Sequence, residues 1–372
     1  MTTTGTDSGR IQLGTRGSRL ALTQSGQVAE ALMAAGAPSE GSDARRDGLD
    51  IDLVTVRTDG DGDRTPLRQL GGVGVFAARL RHALLDGEVD LVVHSFKDLP
   101  TQPVEGLEVI CVPPREDPHD ALCARDGLTL ATLPDGARVG TGSPRRAAQL
   151  LAARPDLEVV DLRGNVPTRL ARVRGLEAVG VGTDEPVAPS RADAAGDLDA
   201  VVLALSGLRR LGLEHCASEV LDLETMLPAP AQGALAVEAR AGEGSAALAR
   251  AAAALDDEPT RLAVTAERAL MARLGAGCAA PVGAWAHLSG GEQEQRVLAL
   301  RAVVTSLDGG KEVGCELSAE LPEADSGPDT YGNAVAQAVR AAEALGVRAA
   351  EVLLEDGAAE VVDLHANKPR RD

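Results

Sequence analysis

The first candidate site is an apolar run that ends abruptly in charged residues. In segment 90–100, DLVVHSFKDLP, a hydrophobic stretch is followed at once by polar and charged side chains, namely His94, Ser95, Lys97 and Asp98. Uninterrupted apolar residues are typical of a strand buried on both faces, and open α/β sheets bind ligands at the carboxyl end of such strands. A lysine beside an aspartate is, on its own, typical of a solvated turn, so the interpretation depends on the rest of the chain.

Two further segments combine glycine, a polar side chain, proline and arginine where a strand is expected to pass into a helix. They are GTGSPRR at 140–146 and LRGNVPTRL at 162–170. The free N–H groups of a helix start and the forked guanidinium group both bind carboxylate or phosphate, so each segment could hold an anion. GTGSPRR lacks the third glycine of a dinucleotide loop and the lysine of a Walker A loop, so nucleotide binding is only weakly indicated. The candidate residues are Thr141, Ser143, Arg145, Arg146, Arg163, Asn165 and Arg169.

Two more strand ends carry basic groups. Arg16 and Ser18 follow the first predicted strand, and Arg209 and Arg210 follow the strand that ends at Leu205. A capped surface helix explains one such junction, but several junctions predict a crevice between two lobes that closes on a multiply anionic ligand.

Cys278 lies in a Gly- and Ala-rich segment, LGAGCAAPVG, between a predicted helix and a predicted strand. A lone cysteine is usually a small buried hydrophobe, although a loop thiol could be a point of covalent attachment. The five cysteines are widely spaced and form no CxxC pair, so they indicate no disulfide framework and no metal site. No histidine next to Cys278 suggests an acyl-transfer pair.

The elements that must position these residues alternate between strand and helix, which predicts doubly wound α/β sheets. Pro-rich connections at 113–120 and 227–232 indicate two crossings between lobes, a two-strand hinge. We expect a disordered leader at 1–9 and three domains, at 10–113 with 233–251 (α/β), 119–228 (α/β) and 256–372 (α+β). The Gly- and Asp-rich segment 58–74 predicts a mobile lid, 175–198 an exposed insertion and 318–330 a loose acidic loop.

Composition excludes several classes of function. Acidic residues number 56 against 37 basic ones, a net charge of −19, which opposes a broad grip on nucleic acid or anionic membranes. Aromatic residues make up 1% of the chain, too few for base stacking. No signal segment and no apolar stretch of membrane-spanning length is found, so we expect a cytoplasmic protein with no membrane or nucleic-acid partner.

Taken together and in order, six motifs resemble the hydroxymethylbilane synthase (porphobilinogen deaminase) family over residues 11–355. They are GTRGSRLAL, HSFKDLP, GTGSPRR, LRGNVPTRL, LPAPAQGALAVE and VTAERALMARLGAGCAAPVG. The resemblance implies two periplasmic-binding-protein-like lobes and a small α+β C-terminal domain. It implies a transferase of tetrapyrrole and heme biosynthesis, in which four porphobilinogens lose ammonia in turn and add to a covalent dipyrromethane cofactor. Hydrolysis then releases hydroxymethylbilane, and the primer stays attached.

The resemblance also assigns roles to residues. Cys278 would carry the cofactor through a thioether, and Asp98 would stabilise positive charge on reacting pyrroles and relay protons. Each pyrrole bears acetate and propionate arms, and the arginines would bind these carboxylates. Cofactor contacts would come from Lys97, Thr141, Ser143, Arg145 and Arg146, substrate contacts from Arg16, Ser18, Arg163, Asn165, Arg169 and Arg210, and a hinge contact from Gln232.

The family further implies a monomer that takes porphobilinogen and passes its product to uroporphyrinogen-III synthase. This protein has Gln69 and Val73 where many relatives have lysines, so the lysine content of segment 58–74 does not support a role for it in gripping the growing pyrrole chain. Two alternatives stay open. A non-enzymatic bilobal anion-binding protein would have no use for Asp98 or a loop thiol, and a thiol-dependent acyl-transfer enzyme would need a base beside Cys278.

Overall fold

The computed structural model describes residues 10–37, 48–56, 75–176, 196–277, 280–290, 294–322 and 331–364, without the side chains of 75–76 and 331–333. The predicted leader, the predicted lid at 58–74, most of the 175–198 insertion and Cys278 lie outside the described residues. Within the described ranges, no helix combines the length and apolar character needed to cross a bilayer.

The first lobe is built on a five-stranded mixed sheet. Its strands lie in the order β2-β1-β3-β10-β4. They are β1 (Arg10–Thr15), β2 (Asp50–Thr55), β3 (Leu91–Ser95), β4 (Leu107–Cys111) and β10 (Leu235–Arg240). Strands β1, β2 and β3 are parallel, and β10 runs antiparallel to both β3 and β4. The carboxyl ends of β1 and β3 therefore meet at one edge, where Arg16 and Asp98 follow them.

Helices cover this sheet, namely α1 (Arg19–Ala35), α2 (Val75–Leu85) and α6 (Ala246–Leu255). Helix α1 begins where the Ser18 hydroxyl accepts a hydrogen bond from Ala21 N at 3.3 Å. Leu13 and Leu91 of the sheet pack with Leu32 of α1 and Ala251 of α6 in one buried cluster. Helix α6 was not foreseen, although Ser245 caps it by accepting a hydrogen bond from Leu248 N at 3.1 Å.

The second lobe repeats the same plan. Its strands lie in the order β7-β6-β8-β5-β9, with bounds β5 (Asp120–Ala124), β6 (Arg138–Gly140), β7 (Glu158–Val160), β8 (Ala200–Ala204) and β9 (Glu219–Val220). Strands β6, β7 and β8 are parallel and β5 is antiparallel to β8. Its helices are α3 (Pro144–Ala153), α4 (Val166–Leu170) and α5 (Leu205–Arg210). The described ends of the insertion lie together, since Val173 bridges to Leu198.

Each of the two crossings between the lobes leads into a strand that runs antiparallel to its neighbours in the sheet it enters. The chain leaves the first lobe after β4 and enters the second as β5, then leaves near Leu227 and returns as β10. The two crossing segments lie side by side, and Glu116 N donates to Gly233 O at 3.3 Å. Gly233 has φ 90°, and a Cβ there would overlap the Glu116 carbonyl oxygen, so only glycine fits. The expectation of two sheet-containing lobes is confirmed.

The C-terminal unit is α+β, as expected. Strands β11 (Val282–Ser289), β12 (Val297–Thr305) and β13 (Glu312–Glu320) form an antiparallel sheet. Helices α7 (Glu258–Leu274), α8 (Tyr331–Glu355) and α9 (Ala358–Val361) accompany it, with Leu270 and Leu298 in their shared core. The predicted loop at 318–330 is wrong at its start, because residues 318–320 belong to β13, where alternate side chains are half-buried. Residues 323–330 lie outside the described part.

Candidate active site

A short turn directly after β3 presents Lys97 and Asp98. Residues Phe96–Asp98 form a 3-10 turn with Phe96 buried and the Asp98 side chain exposed. The turn is anchored where Phe96 N donates to Ala234 O at 3.0 Å. The aspartate therefore points away from the core at the carboxyl edge of the sheet, where a ligand can reach it.

His94, which belongs to the same motif, serves the core. Its Nε2 lies 3.0 Å from Glu238 Oε2, and Arg81 Nη2 donates to Glu238 Oε1 at 2.8 Å. Burial would raise the pKa of Glu238, but hydrogen bonds from His94 and Arg81 outweigh it and lower that pKa. This network joins β3, β10 and α2 behind the turn.

The first strand-to-helix junction of the second lobe, residues 140–146, carries two arginines whose side chains are buried. The Ser143 hydroxyl caps α3 by accepting from Arg146 N at 3.5 Å, and Thr141 Oγ1 accepts from Ser143 N at 3.2 Å. Arg145 and Arg146 are 3% and 6% exposed, which is exceptional for arginine. Buried guanidinium groups require a counter-charge.

That counter-charge is Asp120, which the sequence interpretation missed. Its carboxylate accepts from Arg145 Nη2 and Arg146 Nη2, each at 2.7 Å, and from Gln232 Nε2 at 2.8 Å. Burial acts to raise the pKa of Asp120, yet the two guanidinium groups hold it well below its usual range. Asp120 lies in a Pro-rich charged segment whose composition is that of an exposed loop, so no local pattern indicated it.

Gln232 connects this buried group to the first lobe. Its Oε1 accepts from Lys97 Nζ at 3.3 Å and from Arg146 Nη2 at 3.4 Å. Burial lowers the pKa of Lys97 to about 8, the nearby Arg146 and Arg145 act in the same direction, and Asp98 and Asp120 oppose them. The hinge residue thus brings cations of both lobes to one amide.

The second arginine junction faces Asp98. Asn165 caps α4 by accepting from Thr168 N at 2.9 Å, and Arg169 Nε donates to Gly164 O at 2.8 Å. Burial, followed by repulsion from Arg146 and Arg163, lowers the pKa of Arg169 to about 10, against the attraction of Asp161 and Asp98. The electrostatic influence of Arg146 and Asp98 on Arg169 indicates that the two junctions and the Asp98 turn border one cleft.

The other predicted basic residues divide between the hinge and the surface. Arg210 Nη2 donates to Gly233 O at 2.7 Å, so it lies on the hinge. Arg209 is exposed and pairs with Glu116 at 2.9 Å. Arg16 follows β1 at the same sheet edge as Asp98, and Ser18 caps α1.

The cleft suits a multiply anionic ligand. Lys97, Arg145 and Arg146 surround one buried carboxylate, Asp120, so the buried group carries an excess of positive charge. Among the described side chains, the Nε of Arg145 is a buried nitrogen to which no acceptor is assigned. An acetate or propionate carboxylate would satisfy such donors.

The described cysteines offer no nucleophile. Cys111, Cys123 and Cys216 are buried and Cys315 is half-buried, all as free thiols. Burial raises the pKa of Cys111 and Cys123 to about 12 and that of Cys315 to about 11, so none is a thiolate at neutral pH. No cluster of metal-ligating side chains occurs within the ranges that the structure describes.

Two cavities lie away from this cleft, each against the C-terminal unit. One of about 520 Å³ lies between α6 and α8, near Leu248 and Val339. The other, of about 530 Å³, lies between α3 and β12, near Gln149 and Val303. Neither contains a residue of the predicted site.

Comparison with known proteins identifies the family. Residues 11–247 match the model of the porphobilinogen deaminase, dipyromethane cofactor binding domain, and residues 261–355 match that of the porphobilinogen deaminase C-terminal domain. The porphobilinogen deaminase of Cutibacterium acnes is 52% identical over 97% of this chain and 99% of its own. That of Micrococcus luteus is 50% identical over 94% and 93%.

A solved structure is similar at a lower level. A TRAP periplasmic solute-binding protein from Bordetella bronchispeptica covers 66% of this chain and 77% of its own, with 13% identity and a TM-score of 0.32. This likeness is too distant to support an argument. The two family models together span nearly the whole described chain and include the cleft, the hinge and the C-terminal unit, so the chain belongs to the porphobilinogen deaminase family.

Proposed function

We propose that this chain is a hydroxymethylbilane synthase that polymerises four porphobilinogen molecules onto a dipyrromethane primer and then releases hydroxymethylbilane by hydrolysis. The observation that carries the proposal is the arrangement of the cleft. A turn with Asp98 and Lys97 on one lobe faces two arginine junctions on the other, with Gln232 between them. An anionic, growing chain needs this combination of one carboxylate and many cations.

The cofactor is assigned to the positive part of the cleft. Lys97, Thr141, Ser143, Arg145 and Arg146 would hold its carboxylate arms, and the unassigned Nε of Arg145 supports that fit. When bound, the dipyrromethane supplies the nucleophilic pyrrole carbon at which the chain grows. We assign its attachment to Cys278, the position that the family resemblance implies, and burial, which raises the pKa of each described cysteine thiol, is consistent with that choice.

Asp98 is assigned to the chemical step. Its exposed carboxylate can accept hydrogen bonds from pyrrole N–H groups, stabilise the positive charge that develops on an attacking pyrrole, and take up the proton that is lost. Arg169, which lies within electrostatic reach of Asp98, would hold the carboxylate arms of the incoming substrate. We assign the same substrate role to Arg16, Ser18, Arg163, Asn165 and Arg210.

The lobes and their hinge support a division of labour among three domains, with bounds near 10–113 with 233–251, 119–228 and 256–372. The first would carry the reacting carboxylate, the second the anion sites and the third the attached primer. We also propose that the protein is a cytoplasmic monomer, and that it hands its unstable product to uroporphyrinogen-III synthase.

The experiment that tests this function is a turnover assay on matched cysteine variants. The wild type should convert porphobilinogen to hydroxymethylbilane. Cys278→Ala should fold, carry no covalent pyrrole by intact mass and produce no tetrapyrrole, whereas the control Cys315→Ala should keep both primer and activity. An active, unmodified Cys278→Ala protein would refute the assignment. A wild type that binds anions but forms no tetrapyrrole would favour the alternative, a non-enzymatic bilobal anion-binding protein.

A further inference from the structure

The turn that presents Lys97 and Asp98 is too short to hold its own shape. It has three residues, and its internal hydrogen bond, Leu99 N to Phe96 O, is 3.2 Å long. Turns of this type are stabilised by neighbours more than by their own hydrogen bonds. The groups that fix its carbonyls therefore determine where Asp98 points.

One side chain on α7 contacts three carbonyls of this segment. Arg268 Nη1 donates to Leu99 O at 2.7 Å and to Phe96 O at 3.3 Å, and Nη2 donates to Pro100 O at 2.9 Å. The guanidinium carbon also lies 4.4 Å from the centroid of the Phe96 ring. A planar fork that bonds carbonyls at its edge and stacks on a ring with its face restrains both position and tilt.

The helix that carries Arg268 is itself held firmly. The preceding residue, Glu267, is 0% exposed and accepts from Arg115 Nη1 at 2.7 Å and from Ala286 N at 2.8 Å. Helix α7 ends at Leu274 with Gly275 in the left-handed conformation, and Cys278 follows Leu274 by four positions in the sequence. One rigid helix therefore leads from the Asp98 turn to the segment with the proposed attachment cysteine.

We propose that Arg268 is a positioning residue for the reaction, which fixes the Lys97–Asp98 turn to α7, the helix that precedes Cys278 in the sequence. The inference rests on the proposed function for its catalytic consequence. The contacts of Arg268 with the turn, by contrast, do not depend on any activity. Arg268 acts through the backbone of residues 96–100.

The test compares Arg268→Gln and Arg268→Lys with the control Arg261→Gln. Arg261 lies on the same helix, is similarly half-buried, and makes a two-point pair with Asp256 at 2.6 and 2.7 Å, away from the turn. Hydrogen exchange at the amides of residues 96–99 should be about tenfold faster or more in Arg268→Gln and unchanged in Arg261→Gln. This measurement does not depend on activity.

The kinetic result separates positioning from folding. In Arg268→Gln, kcat for porphobilinogen should fall about 10- to 100-fold, since small displacements of a reacting group have effects of that size. The intact mass should keep the primer, and KM and Tm should match those of Arg261→Gln. Arg268→Lys, which keeps the charge over Phe96 but lacks the fork, should have intermediate kcat and exchange.

Unchanged exchange at 96–99 in Arg268→Gln would overturn the proposal, whatever the activity. Equal losses of kcat in the Arg268 and Arg261 variants would also overturn it, because the effect would then be general destabilisation. A wild type without synthase activity would refute the proposed function. The hydrogen-exchange comparison would still show whether Arg268 holds the turn in place.

Discussion

Asp120→Asn should be among the most destabilising single changes in the second lobe. The carboxylate is 0% exposed and accepts hydrogen bonds from two guanidinium groups and the Gln232 amide. Removing one partner of a buried ion pair costs about 3–5 kcal/mol. The amide oxygen of asparagine preserves part of the hydrogen bonding, so we expect a loss near 3 kcal/mol in unfolding free energy.

The assay is urea unfolding followed by circular dichroism, in a Cys278→Ala background so that bound primer does not contribute. The control is Asp197→Asn, which removes a two-point contact to Arg172 with both distances 2.5 Å, but with 43% of the Asp197 side chain exposed. Because solvent screens that pair, its loss should cost less than about 1 kcal/mol.

The pH dependence of the unfolding free energy provides an independent check that the Asp120 carboxylate is stabilising. The folded-state pKa of Asp120 is depressed, so its contribution is fully present above the ordinary aspartate pKa of about 3.9 and is lost as pH falls through the folded value. The difference in unfolding free energy between the parent and Asp120→Asn should be constant from about pH 5 to 7 and should narrow in more acidic solution. A gap equal to that of Asp197→Asn, or one that widens on acidification, would refute the reasoning.

Three other predictions concern the cleft. Asp98→Asn should retain the primer but lose about 10²- to 10³-fold in turnover, as expected for one electrostatic stabiliser, and near-normal turnover would reassign the carboxylate. Arg146→Leu should block primer assembly, whereas Arg169→Leu should load the primer and stall at intermediate chain lengths. Identical native mass spectra for these two variants would mean that the division into a cofactor site and a substrate site is wrong. The affinity of the primer-free Cys278→Ala protein for a pyrrole dicarboxylate such as porphobilinogen should fall as pH increases through about 8, where Lys97 loses its charge, and Lys97→Arg should abolish that fall; a fall that persists would exclude Lys97.

The α/β architecture could be predicted because its signals are local. Glycine, a capping side chain and proline mark the strand-to-helix junctions at Ser143 and Asn165, and both residues do cap helices. The same motifs, taken in order, identified the family. The short strand β5 was missed because it lies next to a Pro-rich crossing, and β13 was missed although its alternating pattern was available.

The supporting residues could not be predicted, because their partners are remote in sequence. Asp120 meets Gln232 across 112 positions, and Arg268 meets Leu99 across 169. On the sequence alone, Asp120 has the setting of a loop residue and Arg268 that of a solvated helix face. Only the return of the chain through the hinge brings these groups to the predicted cleft.

The central claim is that the chain grows on a primer that is covalently bound to the protein. The most direct measurement is the intact mass of the wild type before and after brief exposure to porphobilinogen. The account predicts a dipyrromethane increment on the resting protein, then a ladder of up to four equal additions that disappears as hydroxymethylbilane is released. An unmodified resting mass, or product formed without any ladder on the protein, would contradict it.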